Sequence, residues 1–215
     1  MATEHIGETR DRIFCAAAHL FAVHGYAKVS MREIAAAAGV SKPMLYYYFE
    51  SKLGLCRALL ADGATQMTDA TRRIATQPAP VVERLRSLIK GRFSVVREHP
   101  DVAKFYMDFF NGPDETGLVA EYGPHIRTAM RALHDLIAEA QRTSEFRGDV
   151  DPMMAATMLV GATNIHVYMF IRQGTPLPDD AMADEIVSAF IEGMRPYPPV
   201  SAVTHAPAGQ ATTRS

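Results

Sequence analysis

At 215 residues, 48% of them hydrophobic, the chain can bury one large core or two smaller ones, and a formal charge of −2 excludes a protein that coats nucleic acid over its whole surface. Any contact with a polyanion has to be local. The two cysteines, Cys15 and Cys56, lie in no CxxC or CxxH spacing, which weighs against a zinc or thioredoxin-like centre.

Residues 1–12 are polar and of mixed charge, without the basic-plus-apolar pattern of a signal peptide, so a cytoplasmic location is expected. A first helix follows, carrying Cys15, His19 and His24. The five-residue spacing of the two histidines does not place them on one face as metal ligands. The cysteines read as reduced small side chains, with a thiol sensor at Cys15 as the alternative.

The stretch from Ser30 to Lys52 carries the strongest local pattern. Ser30 followed by Glu33 forms a capping box at the start of a helix that continues through Ile34 and the alanines to Ala38. Gly39 stops that helix, Val40 turns inward, Ser41 caps a second short helix and Pro43 sits in its first turn. Two short helices across a tight turn form a helix-turn-helix. Between Lys28 and Arg57 stand five cations (Lys28, Arg32, Lys42, Lys52, Arg57) and two acids (Glu33, Glu50), so the local field is positive. In such a motif the N-terminal residues of the second helix meet base edges. Lys42 can donate to guanine acceptors, Pro43 and Met44 can lie against thymine methyls, and Arg32 can reach a guanine. Ser30, Ser41, Tyr46, Tyr47, Tyr48 and Lys52 are donors suited to phosphate oxygens. The alternative is that the aromatic residues at 46–49 merely pack a small helical core.

On these residues the chain resembles the TetR family of bacterial transcriptional regulators. The first helix carries the family pattern as Ile13, Ala16, Ala17, Leu20, Phe21, Gly25 and Tyr26. The second carries Ser30, Arg32, Ile34, Ala35, Gly39, Val40 and Ser41. The third carries Leu45, Tyr46, Tyr48 and Phe49, and Ser51, Lys52 and Leu55 open a fourth. The resemblance covers residues 13–55 and implies base-facing roles for Arg32, Lys42, Pro43 and Met44, with phosphate roles for Ser30, Tyr46, Tyr48 and Lys52. The sequence departs from the family at Tyr48, where many members carry histidine, and at Leu53 and Gly54, where polar residues are usual.

Beyond Leu60 no period-two alternation persists, and Gly and Pro divide the chain into helix-length segments, so the fold class is all-α. A fourth helix is expected from Lys52 toward Thr76, and a fifth from Val81 to Glu98 with Leu85, Leu88, Ile89, Arg92 and Phe93 near one face, closed by Pro100. Val102–Phe110 is short and aromatic, 111–117 is loop, and Gly123-Pro124 predicts a further break before a helix from His125 to Thr143. Asp151-Pro152 starts another helix. Its uncharged run from Met153 to Ile171 could in principle cross a bilayer, but Thr157, Thr163, Asn164 and His166 argue for a soluble helix buried on two sides.

The last helix, about Asp179 to Met194, gathers Ile186, Val187, Phe190, Ile191 and Met194 on one face. With Met158 and Ile165 of the preceding helix these are the expected homodimer interface, and the resemblance implies a four-helix bundle there. The tail 196–215, rich in Pro, Ala, Thr, Ser and Gly, is expected to be disordered.

Phe93, Phe105, Tyr106, Phe109, Met130, Asn164, His166 and Phe170 could line a cavity for a small apolar or aromatic effector, or be plain core. The sequence lacks GxSxG, HExxH, GxGxxG and P-loop motifs, and no enzyme activity, cofactor or metal is expected. The sequence therefore divides into a DNA-binding domain (1–55), an effector-binding and dimerisation domain (56–195) and a tail. The expected function is a ligand-responsive repressor that binds a palindromic operator as a homodimer. The alternatives are a DNA-binding activator or constitutive regulator without an effector, and a helical effector-binding protein that never touches DNA.

Overall fold

The computed structural model describes residues 2–196, with side chains from Glu8 onward. Beyond Pro196 the tail lies outside the described residues. Nine helices and no strand occur among those described: α1 (Ala2–His24), α2 (Met31–Ala37), α3 (Lys42–Tyr48), α4 (Lys52–Ala75), α5 (Val81–Glu98), α6 (Pro100–Asn111), α7 (Val119–Arg142), α8 (Pro152–Gln173) and α9 (Asp180–Met194).

Local capping chemistry sets several of the starts. Ser51, Asp151 and Asp179 each accept the backbone N–H three residues on, from Gly54, Met154 and Met182, and Pro152 occupies the first turn of α8. Two apolar cores result. The first gathers Ile13, Phe21, Ile34, Leu45 and Leu55 from α1 to α4, and draws in Phe105 of α6, Leu118 just before α7 and Tyr122 within it. The second gathers Phe93 of α5, Ile137 of α7, Leu159 of α8 and Val187 of α9. Helices α4, α6 and α7 therefore join the helix-turn-helix to the rest of the chain through shared packing.

Two expectations need correction. Pro100 does not merely close α5; it sits in the first turn of α6, which follows without a loop. Gly123-Pro124 is no break: α7 already runs from Val119 and carries Pro124 inside it. Its first turn is held because Asp114 accepts N–H bonds from Gly117 (2.8 Å) and Val119 (3.3 Å), and because Leu118 and Tyr122 are buried in the first core. Pro124, in the second turn, loses the hydrogen bond to the carbonyl four residues back and crowds that carbonyl, a cost that the anchored first turn offsets. Helix α8 is buried on one side within the chain. Ala155, Ala156, Leu159, Thr163 and Val167 face the second core, whereas Met154, Met158, Ile165 and Tyr168 stand 45–59% exposed. Among the described residues α8 alone is long and apolar enough to cross a membrane by length and composition.

Candidate nucleic-acid interface

The interface begins with how α2 and α3 are fixed. The Ser30 hydroxyl accepts the Glu33 N–H and donates to the Glu33 carboxylate (2.6 Å), while the Ser30 backbone N–H donates to the same carboxylate (2.7 Å). These bonds from Ser30 hold the Glu33 carboxyl below the usual range. At the other end Gly39 adopts φ +64°, and Val40 N–H returns to the Ala35 carbonyl at 3.0 Å. Only glycine takes that backbone conformation without strain, so the turn angle is set there. Ser41 accepts the Met44 N–H at 3.2 Å and starts α3, with Pro43 in its first turn.

Leu45 and Phe49 then point inward, Phe49 meeting Phe14 of α1 with ring centroids 5.5 Å apart. A seven-residue helix anchored on that side must present its other side to solvent. Lys42, Pro43, Met44, Tyr46 and Tyr47 are exposed, Tyr47 to 86%. Lys42 Nζ lies 5.8 Å from the Tyr46 ring centroid, so its charge is held along the outward face of α3. Arg32 and Ser41 are exposed beside them, and Tyr48 is half-buried between Tyr47 and Phe49.

Two of the residues expected at phosphates have partners within the chain. Lys52 Nζ donates to the carbonyls of Tyr26 (2.9 Å), Ala27 (3.2 Å) and Val29 (3.0 Å), which uses all three ammonium protons to staple the α1–α2 loop to α4. Ser30 has a single hydroxyl proton, and it is committed to Glu33. Arg57 is likewise engaged, in a forked pair with Glu121 of α7 at 3.0 and 3.2 Å. The outward positive charge therefore rests on Lys28, Arg32 and Lys42, which are exposed and form no ion pair among the described residues.

Sequence reasoning missed the contacts that mount this unit on the remaining helices. Lys104 of α6 donates to the Ala22 carbonyl near the end of α1 and pairs with Asp108, both at 2.6 Å, and Asp108 also receives Arg172 of α8. His19 of α1 meets Asp101 of α6 at 2.7 Å. These partners stand 64 to 82 residues apart, apart from the one-turn Lys104–Asp108 pair, and no local pattern marks them.

The expected effector residues do not converge on one cavity. Phe105, Tyr106 and Phe109 pack with the first core, while Phe93, Met130 and Phe170 pack with the second. The Tyr106 hydroxyl donates to the Leu59 carbonyl at 2.8 Å, and burial pushes that phenol well up. His166 stands edge-on to Phe93 at 6.4 Å, and Asn164 accepts a hydrogen bond from Arg92. The clearest concavities lie elsewhere. One is a groove of about 350 Å³ between α1 and α2, lined by Arg12, Cys15, Ala16, His19, Ala37 and Ala38; the other is a crevice of about 90 Å³ beside the Arg57–Glu121 pair. Among the described residues no group of three or more His, Cys, Asp or Glu could hold a metal ion.

The interface set also divides. Met158 and Ile165 are exposed at 59% and 52%, but Val187, Ile191 and Met194 are buried in the second core, with Ile186 and Phe190 half-buried against it. The inner stripe of α9, Ala183–Val187–Ile191–Met194, packs inside its own chain.

Residues 13–59 match the family model for bacterial regulatory proteins of the tetR family, and residues 78–194 match the tetracyclin repressor-like C-terminal domain. The transcriptional activator FasR of Mycolicibacterium smegmatis is 27% identical over 89% of this chain and 85% of its own. The transcriptional repressor KstR2 of Rhodococcus jostii is 25% identical over 86% and 90%. The structure of the transcriptional regulator FadR from Bacillus subtilis in complex with stearoyl-CoA superposes with a TM-score of 0.74 at 19% identity, covering 86% of this chain and 98% of that one.

Proposed function

The chain belongs to the TetR family of bacterial regulatory proteins, and from that premise we propose a homodimeric, ligand-responsive repressor acting on a palindromic operator in the cytoplasm. The observation that carries this reading is the outward face of α3: Lys42, Pro43 and Met44, beside Arg32, on a helix anchored from behind by Leu45 and Phe49. In this reading residues 1–55 read DNA and 56–195 take the effector and the second copy. Arg32, Lys42, Pro43 and Met44 meet bases, while Ser41, Tyr46, Tyr47 and Tyr48 approach phosphates. The similarity to KstR2 supports repression, and the fold shared with a protein solved with stearoyl-CoA supports an effector among the C-terminal helices.

The mechanism is geometric. Two recognition helices must stand one DNA turn apart, about 34–36 Å, to enter successive major grooves. An effector that favours another separation lowers DNA affinity by its coupling free energy, typically ~1–3 kcal/mol. In this reading the shared packing of α4, α6 and α7, with the Arg57–Glu121 and Lys104–Asp108–Arg172 contacts beside it, couples the C-terminal helices to α1 and α4.

An electrophoretic mobility shift with DNA selected from a random pool tests the reading. Arg32→Ala with Lys42→Ala should remove the specific complex, each lost base contact costing ~1–3 kcal/mol. A double variant that binds the selected palindrome as tightly as the parent overturns the assignment. FasR is an activator, so a promoter-reporter assay with and without the protein fixes the sign: expression that rises with the protein rejects repression.

A further inference from the structure

Helix α5 carries four arginines, and three of them meet carboxylates. Arg84 pairs with Glu139, Arg86 with Asp184 and Arg97 with Asp180. Arg92 differs. Its Nη2 donates to the neutral Asn164 amide oxygen on α8, its Nε is enclosed with no acceptor, and no carboxylate among the described residues pairs with it. Burial draws this guanidinium down from its ordinary pKa, and no neighbouring charge counters that effect. Arg92 as a whole is half-buried, but its enclosed Nε has lost water without gaining an acceptor, a cost that an anion reaching the guanidinium would offset. The seam is open to solvent on the α8 side: Asn164 is exposed, and so is Gly161 three residues before it, where a side chain would meet nothing. Tyr168, one turn beyond Asn164 on the same face, is 45% exposed.

We propose that the α5–α8 seam at Arg92 and Asn164 is the polar end of the effector site and takes the carboxylate or phosphate of an organic anion, whose apolar part runs along α8 past Gly161 or Tyr168. This rests on the effector reading above and gives that effector its charge. A carboxylate there completes the forked, charge-assisted contact that Arg92 lacks. The seam borders the exposed face of α8 that bears Met158 and Ile165, so an anion bound in it acts where two copies meet and can alter the separation of the reading helices.

Full-length protein, Arg92→Met and Asn164→Asp are melted alone and with octanoate, octyl phosphate or uncharged octanol, with mass by light scattering and operator binding measured on the same samples. The expected results are that one or both anions stabilise the parent, octanol does not, and Arg92→Met binds the anion at least tenfold more weakly. That is the loss of one charge-assisted contact. Without ligand, Arg92→Met should melt at or above the parent, since an uncompensated charge is gone. Asn164→Asp supplies an internal carboxylate, so it should melt higher and lose the anion response.

Stabilisation by octanol equal to that by the anions, no response of the parent to either anion, or unchanged responses in both variants overturns the proposal. A lower melting point for Asn164→Asp does so too. An Arg92→Met variant that is monomeric where the parent is dimeric assigns a partner copy's carboxylate to the guanidinium and also overturns it. Loss of parental DNA binding with an intact anion response would instead refute the regulator reading and leave this site standing.

Discussion

Lys52 separates two roles that one side chain type can play. Its ammonium sits between three loop carbonyls and 4.4 Å from the Tyr26 ring centroid, so it joins α4 to the loop that aims α2. Lys52→Met keeps the stem and strands those carbonyls. Hydrogen bonds from a charged donor contribute roughly 1.5–3 kcal/mol, and a loss of that size is expected in urea unfolding. The salt dependence of operator binding should stay as it was. A phosphate-binding lysine would do the opposite, leaving stability intact and reducing the slope of log affinity against log salt by about 1. A variant with parental stability and a flatter slope would return Lys52 to the DNA surface. The cysteines divide just as plainly: burial pushes the Cys56 thiol up to about 12, whereas Cys15 is exposed on α1.

At the scale of elements, the sequence is legible wherever the cause is local. Ser30–Glu33, Gly39, Ser41-Pro43 and Asp151-Pro152 each act within four residues, and the helices start or stop where that chemistry places them. Reading failed where the cause is distant. Gly123-Pro124 sits inside α7 because the buried Tyr122 and the Asp114 cap hold the turn before it. Apolar periodicity shows that α9 has a buried stripe but not whether its own chain or a second copy covers it, and the answer for Val187 is its own chain.

Gly63 is another such case, a glycine inside α4 that helix propensity alone would replace with alanine for a gain of about 0.5–1 kcal/mol. Here a Cβ would stand 1.9 Å from the Tyr106 hydroxyl oxygen and 2.6 Å from its ring. The ring would have to leave, breaking its bond to Leu59. Gly63→Ala should therefore destabilise by about 1–3 kcal/mol, the usual cost of overpacking, visible as a lower melting temperature. An unchanged or raised melting temperature would mean that α4 and α6 part easily, and that Tyr106 does not set their spacing.

For the whole molecule, the decisive surface is the one a single chain leaves uncovered. Met154, Met158, Ile165 and Tyr168 on α8, with Met182 on α9, are large apolar exposures on the last two helices, and in the proposed homodimer a second copy covers them and brings two α3 helices to one duplex. A stable interface buries about 1,200–2,000 Å² in total, so charges at its centre should be decisive. Met158→Asp with Ile165→Asp alters side chains that are 59% and 52% exposed, and the isolated chain should keep its helix content. Light scattering should then report half the parental mass. Operator binding should fall with it, because a lone reading head loses the contacts of the second half-site. Val187→Asp is the control, since Val187 is 0% exposed and a carboxylate there should unfold the second core outright. If the double variant keeps the parental mass and affinity, the two copies do not meet through α8, and the separation that sets the spacing of the recognition helices is governed by another face.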